Sequence, residues 1–252
     1  IDKIKEHTNT LMFYFMGEPF LRKTSYEMIR YAKDSGIPFI TTCTNGDLVK
    51  PALLVECGID EVNFHIGGIT QKEHETYRIN SKIDRVLDNL RETVRLRNER
   101  KKKMKIICGF IVMKHNEHQL SDWKKFMEKI GVDESVEVNA CVRTVEQGKE
   151  LLSNDQNRWF YDPIKFEKDG ILAPRREHKN ECPIIHYGMN IHANGNIVPC
   201  CRDPRGTEVM GNILNEDFSK IWNGEKYRNF RKRLLDNQKK VDICKLCETY
   251  VA

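Results

Sequence analysis

The sequence predicts an α/β fold: a barrel wall or open parallel sheet, followed by a small cysteine-rich unit of hairpin and helices. Three observations carry this. Short apolar runs alternate with amphipathic stretches from Asn9 to about Val142. The alternation stops over residues 144–180, which are polar and include Pro163 and Pro174. Five of the nine cysteines fall in the last third of the 252-residue chain. These shifts set expected boundaries of 1–145 for the partial barrel, 146–180 for a connector and 181–252 for the cysteine-rich domain.

The elements follow in order. Residues 11–15 are an apolar strand ended by Gly17-Glu18-Pro19. Residues 24–35 place Met28, Ile29 and Ala32 on one helical face, closed by Gly36. Residues 37–42 form a second strand before Thr44-Asn45-Gly46, and a helix is expected over 47–57 with Gly58 as its stop. Residues 61–66 form a third strand, halted by Gly67-Gly68. Ile83, Val86, Leu87, Leu90 and Val94 are the apolar stripe of a helix over 82–100. A strand over 105–113, a helix over 120–130 and a strand over 135–142 complete the series. Strict strand–helix alternation means parallel strands with crossover helices, and such sheets gather their active residues at the strands' C-terminal ends.

Composition narrows the function classes. Hydrophobic residues are 39% and charged residues 31%, which suits a globular chain, and no apolar run reaches the length of a membrane span. The net charge of +5 is too small to imply nucleic acid without a focused patch. The basic run from Arg95 to Lys103 reads as a solvated helix end that complements the dipole, with no aromatics interleaved for base stacking. The chain begins at Ile1 with no signal-like segment, so it is expected to be cytoplasmic and to lack its natural start.

The first four cysteines (Cys43, Cys57, Cys108, Cys141) stand singly in apolar contexts and read as small buried hydrophobes. An odd count and no secretory signal argue against disulfides. Residues 191–198 form a hairpin around Asn194-Gly195. Cys200 ends its return strand, with Met189 expected opposite and the loop from Cys182 folding back. Cys200 and Cys201 point to opposite faces of an extended chain, so only one of them ligates a given centre. Helical stretches over 216–222 and 226–235 lead to Cys244-Lys245-Leu246-Cys247, and Trp222, Tyr227 and Phe230 read as the core of this domain. His186 and His192 flank the hairpin as alternative ligands. Four thiolates hold either a tetrahedral zinc or an iron–sulfur cubane, and the donor set alone does not choose.

The run Cys182-Pro183, Gly195, Cys200, Met210-Gly211-Asn212-Ile213, Ile221-Trp222-Asn223, Tyr227, Phe230-Arg231 and Cys244-x-x-Cys247 resembles the C-terminal auxiliary-cluster domain of radical S-adenosylmethionine (SAM) enzymes. That domain is called SPASM, or twitch in its one-cluster form, here similar to the 2-deoxy-scyllo-inosamine dehydrogenase type. The resemblance implies one [4Fe–4S] cluster on Cys182, Cys200, Cys244 and Cys247, with Cys201 a spectator. Met16-Gly17-Glu18-Pro19 is similar to the family's GGEP, and Thr44-Asn45-Gly46 to its TNG. His65 and Gly67 stand where the family has the Ser and Asp of Ser-x-Asp-Gly, and Arg78 where it often has an arginine. The resemblance thus implies SAM contacts at Gly17, Glu18, Pro19, Asn45, His65 and Arg78. Glu18 also has a plainer reading as a carboxylate at a helix start.

The resemblance covers residues 9 to 247 and implies a partial radical SAM (β/α) barrel, with the first strand and its cluster loop missing. None of the nine cysteines forms CxxxCxxC, so a second [4Fe–4S] cluster is expected on a missing N-terminal segment. In full length, the enzyme implied is an oxidoreductase or modifying enzyme using the SAM-derived 5′-deoxyadenosyl radical. The chain as given is then expected to be inactive alone. The implied partners are a small-molecule or peptide substrate and an electron donor such as flavodoxin or ferredoxin. A catalytically silent iron–sulfur module and a zinc-stabilised binding protein are the alternatives.

Overall fold

The computed structural model describes residues 1–247, and the chain divides into two compact units. The first comprises residues 1–142 and 146–158, the second residues 143–145 and the chain from 159 onward.

The first unit is a five-stranded parallel sheet in the order β1 (Thr10–Met12), β2 (Phe39–Thr44), β3 (Glu61–Ile66), β4 (Lys105–Val112) and β5 (Glu134–Asn139). Spatial order follows chain order, so right-handed crossovers put every helix on one face, as in a barrel wall. The helices are α1 (Ser25–Asp34), α2 (Pro51–Glu56), α3 (Gln71–Tyr77), α4 (Ile83–Glu99), α5 (Leu120–Ile130) and α6 (Val145–Leu151). Alternation along the strands sends Ile40, Val62, Phe64, Ile66, Ile106, Cys108 and Phe110 into the core. There they join Ile29 of α1, Leu54 of α2, Val86 and Leu90 of α4, and Trp123 and Met127 of α5. The register sets Cys43 beside Asn63 and His65 beside Gly109. The face opposite the helices thus carries Cys43, Asn63, His65, Ile111, Val136 and Val138, all half-buried.

Several boundaries differ from the sequence expectation for physical reasons. β2 starts at Phe39, just past Pro38, and the Asp60 carboxylate captures the Ile40 amide at 2.8 Å. α2 starts only at Pro51, a residue suited to a first helical position, because residues 45–47 form a turn. β5 ends at Asn139, which leaves Cys141 exposed rather than buried as expected. The basic run is solvated and paired: Arg95 with Glu92 and Glu99, Arg100 and Lys102 with Glu56, and Arg97 with Asp133.

The second unit holds α7 (Ile184–Tyr187) and an antiparallel sheet of β6 (Asn190–Ile191), β7 (Asn196–Val198) and β8 (Gly211–Asn212). α8 (Phe218–Trp222) and α9 (Glu225–Asn237) follow. The hairpin pairs Ile191 with Ile197, and the His192 amide donates to the Asn196 carbonyl at 2.8 Å. Its loop is therefore three residues long, with Gly195 left-handed at φ 83°. Extended onward, this register brings Gly188 rather than Met189 opposite Cys200. Among the described residues no helix is long and apolar enough to cross a membrane.

Candidate SAM and iron–sulfur sites

At the C-terminal ends of β1 and β2 the two short motifs are joined. Gly17 adopts φ 81°, a left-handed turn that brings Glu18 back over the sheet. Glu18 caps the short turn Pro19–Leu21, its Oε1 accepting the Phe20 amide at 3.2 Å. The same oxygen accepts the Thr44 hydroxyl at 2.6 Å, and Oε2 accepts the Asn45 amide at 2.7 Å. Glu18 is thus both a local cap and a clasp across two strand ends. Asn45 Oδ1 accepts the Asp47 amide at 2.9 Å, and Arg85 grips the Asp47 carboxylate with two bonds of 2.7 Å. Gly46 is obligatory here, since a Cβ would lie 2.8 Å from Val86 and 2.9 Å from Phe64.

His65 lies on the open face against Gly109, where a Cβ would come 2.6 Å from the imidazole. Burial, then the Arg78 charge, lowers the His65 pKa to about 4, so the ring is neutral at pH 7. Arg78 follows α3, and its Nε is buried without a hydrogen-bond partner. Asn63 Oδ1, near the same Gly109 position, is likewise buried and unpaired. Cys43 is within electrostatic reach of both Glu18 and Arg78, and burial pushes its thiol up to about 12. Glu18, Cys43 and Arg78 are thereby brought together, as are His65 and Arg78.

Their setting is held from below. The Gly67 amide donates to His74 Nδ1 at 3.3 Å, so Nε2 carries the ring proton and donates to Ser81 Oγ at 2.8 Å. Buried Asn116 donates to the Gly67 carbonyl at 2.9 Å, and Gln119 accepts the Ile69 amide at 2.9 Å. A neutral histidine and two amides thus fix the loop after β3.

In the second unit the five late cysteines separate by exposure: Cys244 is buried, Cys182, Cys200 and Cys247 are half-buried, and Cys201 is exposed. Cys200 feels the charges of Cys201, Cys247 and Cys182, Cys244 those of Cys200, Cys247 and Cys182, and Cys247 those of Cys182 and Cys201. Burial first, then these neighbours, push Cys200 and Cys244 up to about 12 and raise Cys247. The Arg202 amide donates to Cys200 Sγ at 3.4 Å, and the Arg202 side chain lies against Cys247. Buried Asp203 accepts the Thr207 amide and hydroxyl and the Glu208 amide at 2.7–2.9 Å. It shapes the loop that leaves Cys200.

The donor set fits an iron–sulfur cluster. Among the described residues no group of three His, Cys, Asp or Glu side chains is arranged to hold a single metal ion. Tetrahedral zinc with bonds of about 2.3 Å requires sulfurs roughly 3.8 Å apart. A cubane, with irons and sulfides between its ligands, takes four thiolates at larger separations. His186 is exposed.

Residues 182–248 match the SPASM iron–sulfur cluster-binding domain family. A probable GTP 3′,8-cyclase of Metallosphaera sedula is 31% identical over 226 residues, covering 81% of this chain and 69% of the relative. The chain belongs to the radical SAM family. Another radical SAM relative, the S-adenosyl-L-methionine-dependent 2-deoxy-scyllo-inosamine dehydrogenase of Niallia circulans, is 43% identical over 106 residues. That match covers 39% of this chain and 42% of the dehydrogenase. Among solved structures, Streptococcus suis SuiB bound to S-adenosylmethionine shares the radical SAM fold at a TM-score of 0.65. Identity to SuiB is 14%, with 98% of this chain and 63% of that chain covered.

Thr44, Asn63, His74, Asn116 and Asp203 were not singled out from the sequence. Thr44 was legible as the first residue of Thr-Asn-Gly. The others act through contacts between residues 3 to 49 positions apart or through unpaired atoms, for which no local pattern exists.

Proposed function

We propose that this chain forms the SAM-binding and auxiliary-cluster parts of a radical SAM oxidoreductase or modifying enzyme acting on a small molecule or peptide. The observation that carries this reading is that Cys182, Cys200, Cys244 and Cys247 lie within electrostatic reach of one another inside a SPASM-type segment. When bound, SAM supplies the radical chemistry and the auxiliary [4Fe–4S] cluster a one-electron sink or a wall of the substrate pocket.

The remaining work belongs to the chain. Gly17 turns the loop, and Glu18, clasped to Thr44 and Asn45, retains acceptor capacity on Oε2 for an ammonium group. Arg78 Nε is an unspent donor suited to a carboxylate, and neutral His65 offers one donor and one acceptor nitrogen. Pro19 and Asn45 hold the backbone that frames this site. All four cluster ligands are cysteines, so no iron is left open for direct substrate binding, which favours electron transfer or support. The cysteines of a SAM-binding cluster are assigned to a segment outside this sequence, since the nine present lack CxxxCxxC. Flavodoxin or ferredoxin is the electron donor assigned.

Anaerobic purification with iron and sulfide analysis tests the reading. Four irons and four sulfides per chain at the auxiliary site are expected, lost in Cys244→Ser and retained in Cys201→Ser. A colourless protein with one zinc, or equal loss in the two variants, overturns the assignment. A longer gene product carrying the cysteine triad should cleave SAM to 5′-deoxyadenosine under reducing conditions.

A further inference from the structure

Cys244 and Cys247 lie on a strap of successive tight turns. The Val241 amide donates to the Gln238 carbonyl at 3.1 Å, the Cys244 amide to the Val241 carbonyl at 2.9 Å, and the Cys247 amide to the Cys244 carbonyl at 2.9 Å. Bonds spanning three residues have poorer geometry than those of an α-helix, so such a run depends on contacts from outside. Two are made, one at each end, and both come from His178-Lys179-Asn180. At the start of the strap, Asn180 Oδ1 accepts the Gln238 amide at 3.0 Å, and its Nδ2 donates to the Asp236 carbonyl at 3.4 Å. At its end, His178 Nε2 lies 3.0 Å from the Cys247 carbonyl, which only accepts, so this nitrogen carries the proton. Asn180 stands at φ 57°, a left-handed conformation that asparagine tolerates because its side chain bonds locally. It turns the chain two residues before Cys182. The same three residues thus meet both ends of a strap bearing two cysteines and lead directly into a third.

We propose that His178 and Asn180 are positioning residues of the auxiliary cluster, a two-point clamp that sets Cys244 and Cys247 against Cys182. The inference rests on the four-cysteine reading above. Both side chains act through backbone groups and leave the sulfurs free for iron. Cys182 and the CxxC are far apart in sequence, so holding their segments together lowers the closure entropy that a shared cluster must overcome. Cluster retention is thereby governed by a stretch of the connector whose sequence is merely polar.

The test is anaerobic challenge of the reconstituted chain with excess EDTA, with cluster loss followed by absorbance. His178→Leu removes the donor and should lose its cluster about tenfold faster than the parent, the scale of one hydrogen bond. His178→Gln carries an N–H donor at similar reach and should stay within about twofold of the parent. Asn180→Gly keeps the left-handed backbone, loses both side-chain bonds and should also shed iron about tenfold faster. Either loss frees the strap, so combining His178→Leu with Asn180→Gly should fall short of the product of the two single effects. Amide protection over β1–β5 verifies that each variant is folded. A His178→Leu chain that takes up no iron while His178→Gln loads fully is the expected loss at its limit. Three results overturn the proposal: His178→Gln as labile as His178→Leu, single variants as slow as the parent, or a double variant at the full product. A parent that binds zinc, or keeps its cluster in Cys244→Ser, instead defeats the four-cysteine reading itself, a result visible before either clamp residue is altered.

Discussion

The two candidate sites are held in opposite ways. At the strand ends the polar groups that shape the site are satisfied within the chain: Glu18 accepts three bonds, Asn45 caps its own turn, and His74, Asn116 and Gln119 pin the following loop. Among the described residues of this site, Arg78 Nε and Asn63 Oδ1 stand unspent. At the sulfur site the thiols of Cys200, Cys244 and Cys247 are pushed upward by burial and by neighbouring thiols. They favour the protonated state, whereas iron requires thiolates, so loading must release protons and its free energy becomes folding free energy. The first site is formed ahead of its ligand, while the second is completed by its metal.

Metal removal is the strongest way to break that contrast. Stripping iron should leave amide protection over β1–β5 nearly unchanged and lower it across residues 182–247 by at least a hundredfold, read by hydrogen–deuterium exchange. The second unit has short strands of two or three residues and cannot hold its loops as a sheet of five strands can. Equal protection with and without iron would show that the sulfur site is preformed as well.

Acid should act on the first unit through His74. Its pKa is lowered to about 4, chiefly by burial, against 6.5 for the free side chain. Between these values the unfolded chain binds a proton that the folded chain refuses. Stability is therefore present above pH 6.5 and is lost as pH falls toward 4, by roughly 3 kcal/mol in full. His65, lowered in the same direction, adds to the slope. Urea midpoints at several pH values should show the fall, and His74→Gln should flatten it while losing the Gly67 bond. A parent curve level from pH 7 to 5 would contradict the buried neutral ring.

How much of this was legible depends on whether the signal was local. Apolar runs gave the five strands, and β3 and α5 begin and end where their patterns do. α3 escaped notice because only His74 on it is buried, so it carries no apolar stripe. The resemblance to the SPASM domain implied a ligand set, but the hairpin register was one residue off because Asn194-Gly195 closes a three-residue loop rather than a two-residue one. Asn116 bonds to the loop after β3, whose approach depends on the completed fold.

Within the strand-end site, two substitutions sharpen the idea of a preformed clasp. Glu18→Gln replaces one acceptor oxygen with an amide that opposes another donor, at Thr44 or at Asn45. It should cost about 1–3 kcal/mol and weaken SAM binding at least tenfold by calorimetry. Thr44→Ser is the smaller change. It keeps the hydroxyl that donates to Glu18 Oε1 and accepts the Gly46 amide at 3.0 Å, removing a single buried methyl group. The loss should stay near ~0.8 kcal/mol, with SAM affinity unaltered. Thr44→Val, by contrast, keeps the methyl group and removes the bond. If it binds SAM as tightly as Thr44→Ser does, the hydroxyl bridge is packing rather than preorganisation, and the distinction between the two sites narrows to the metal alone.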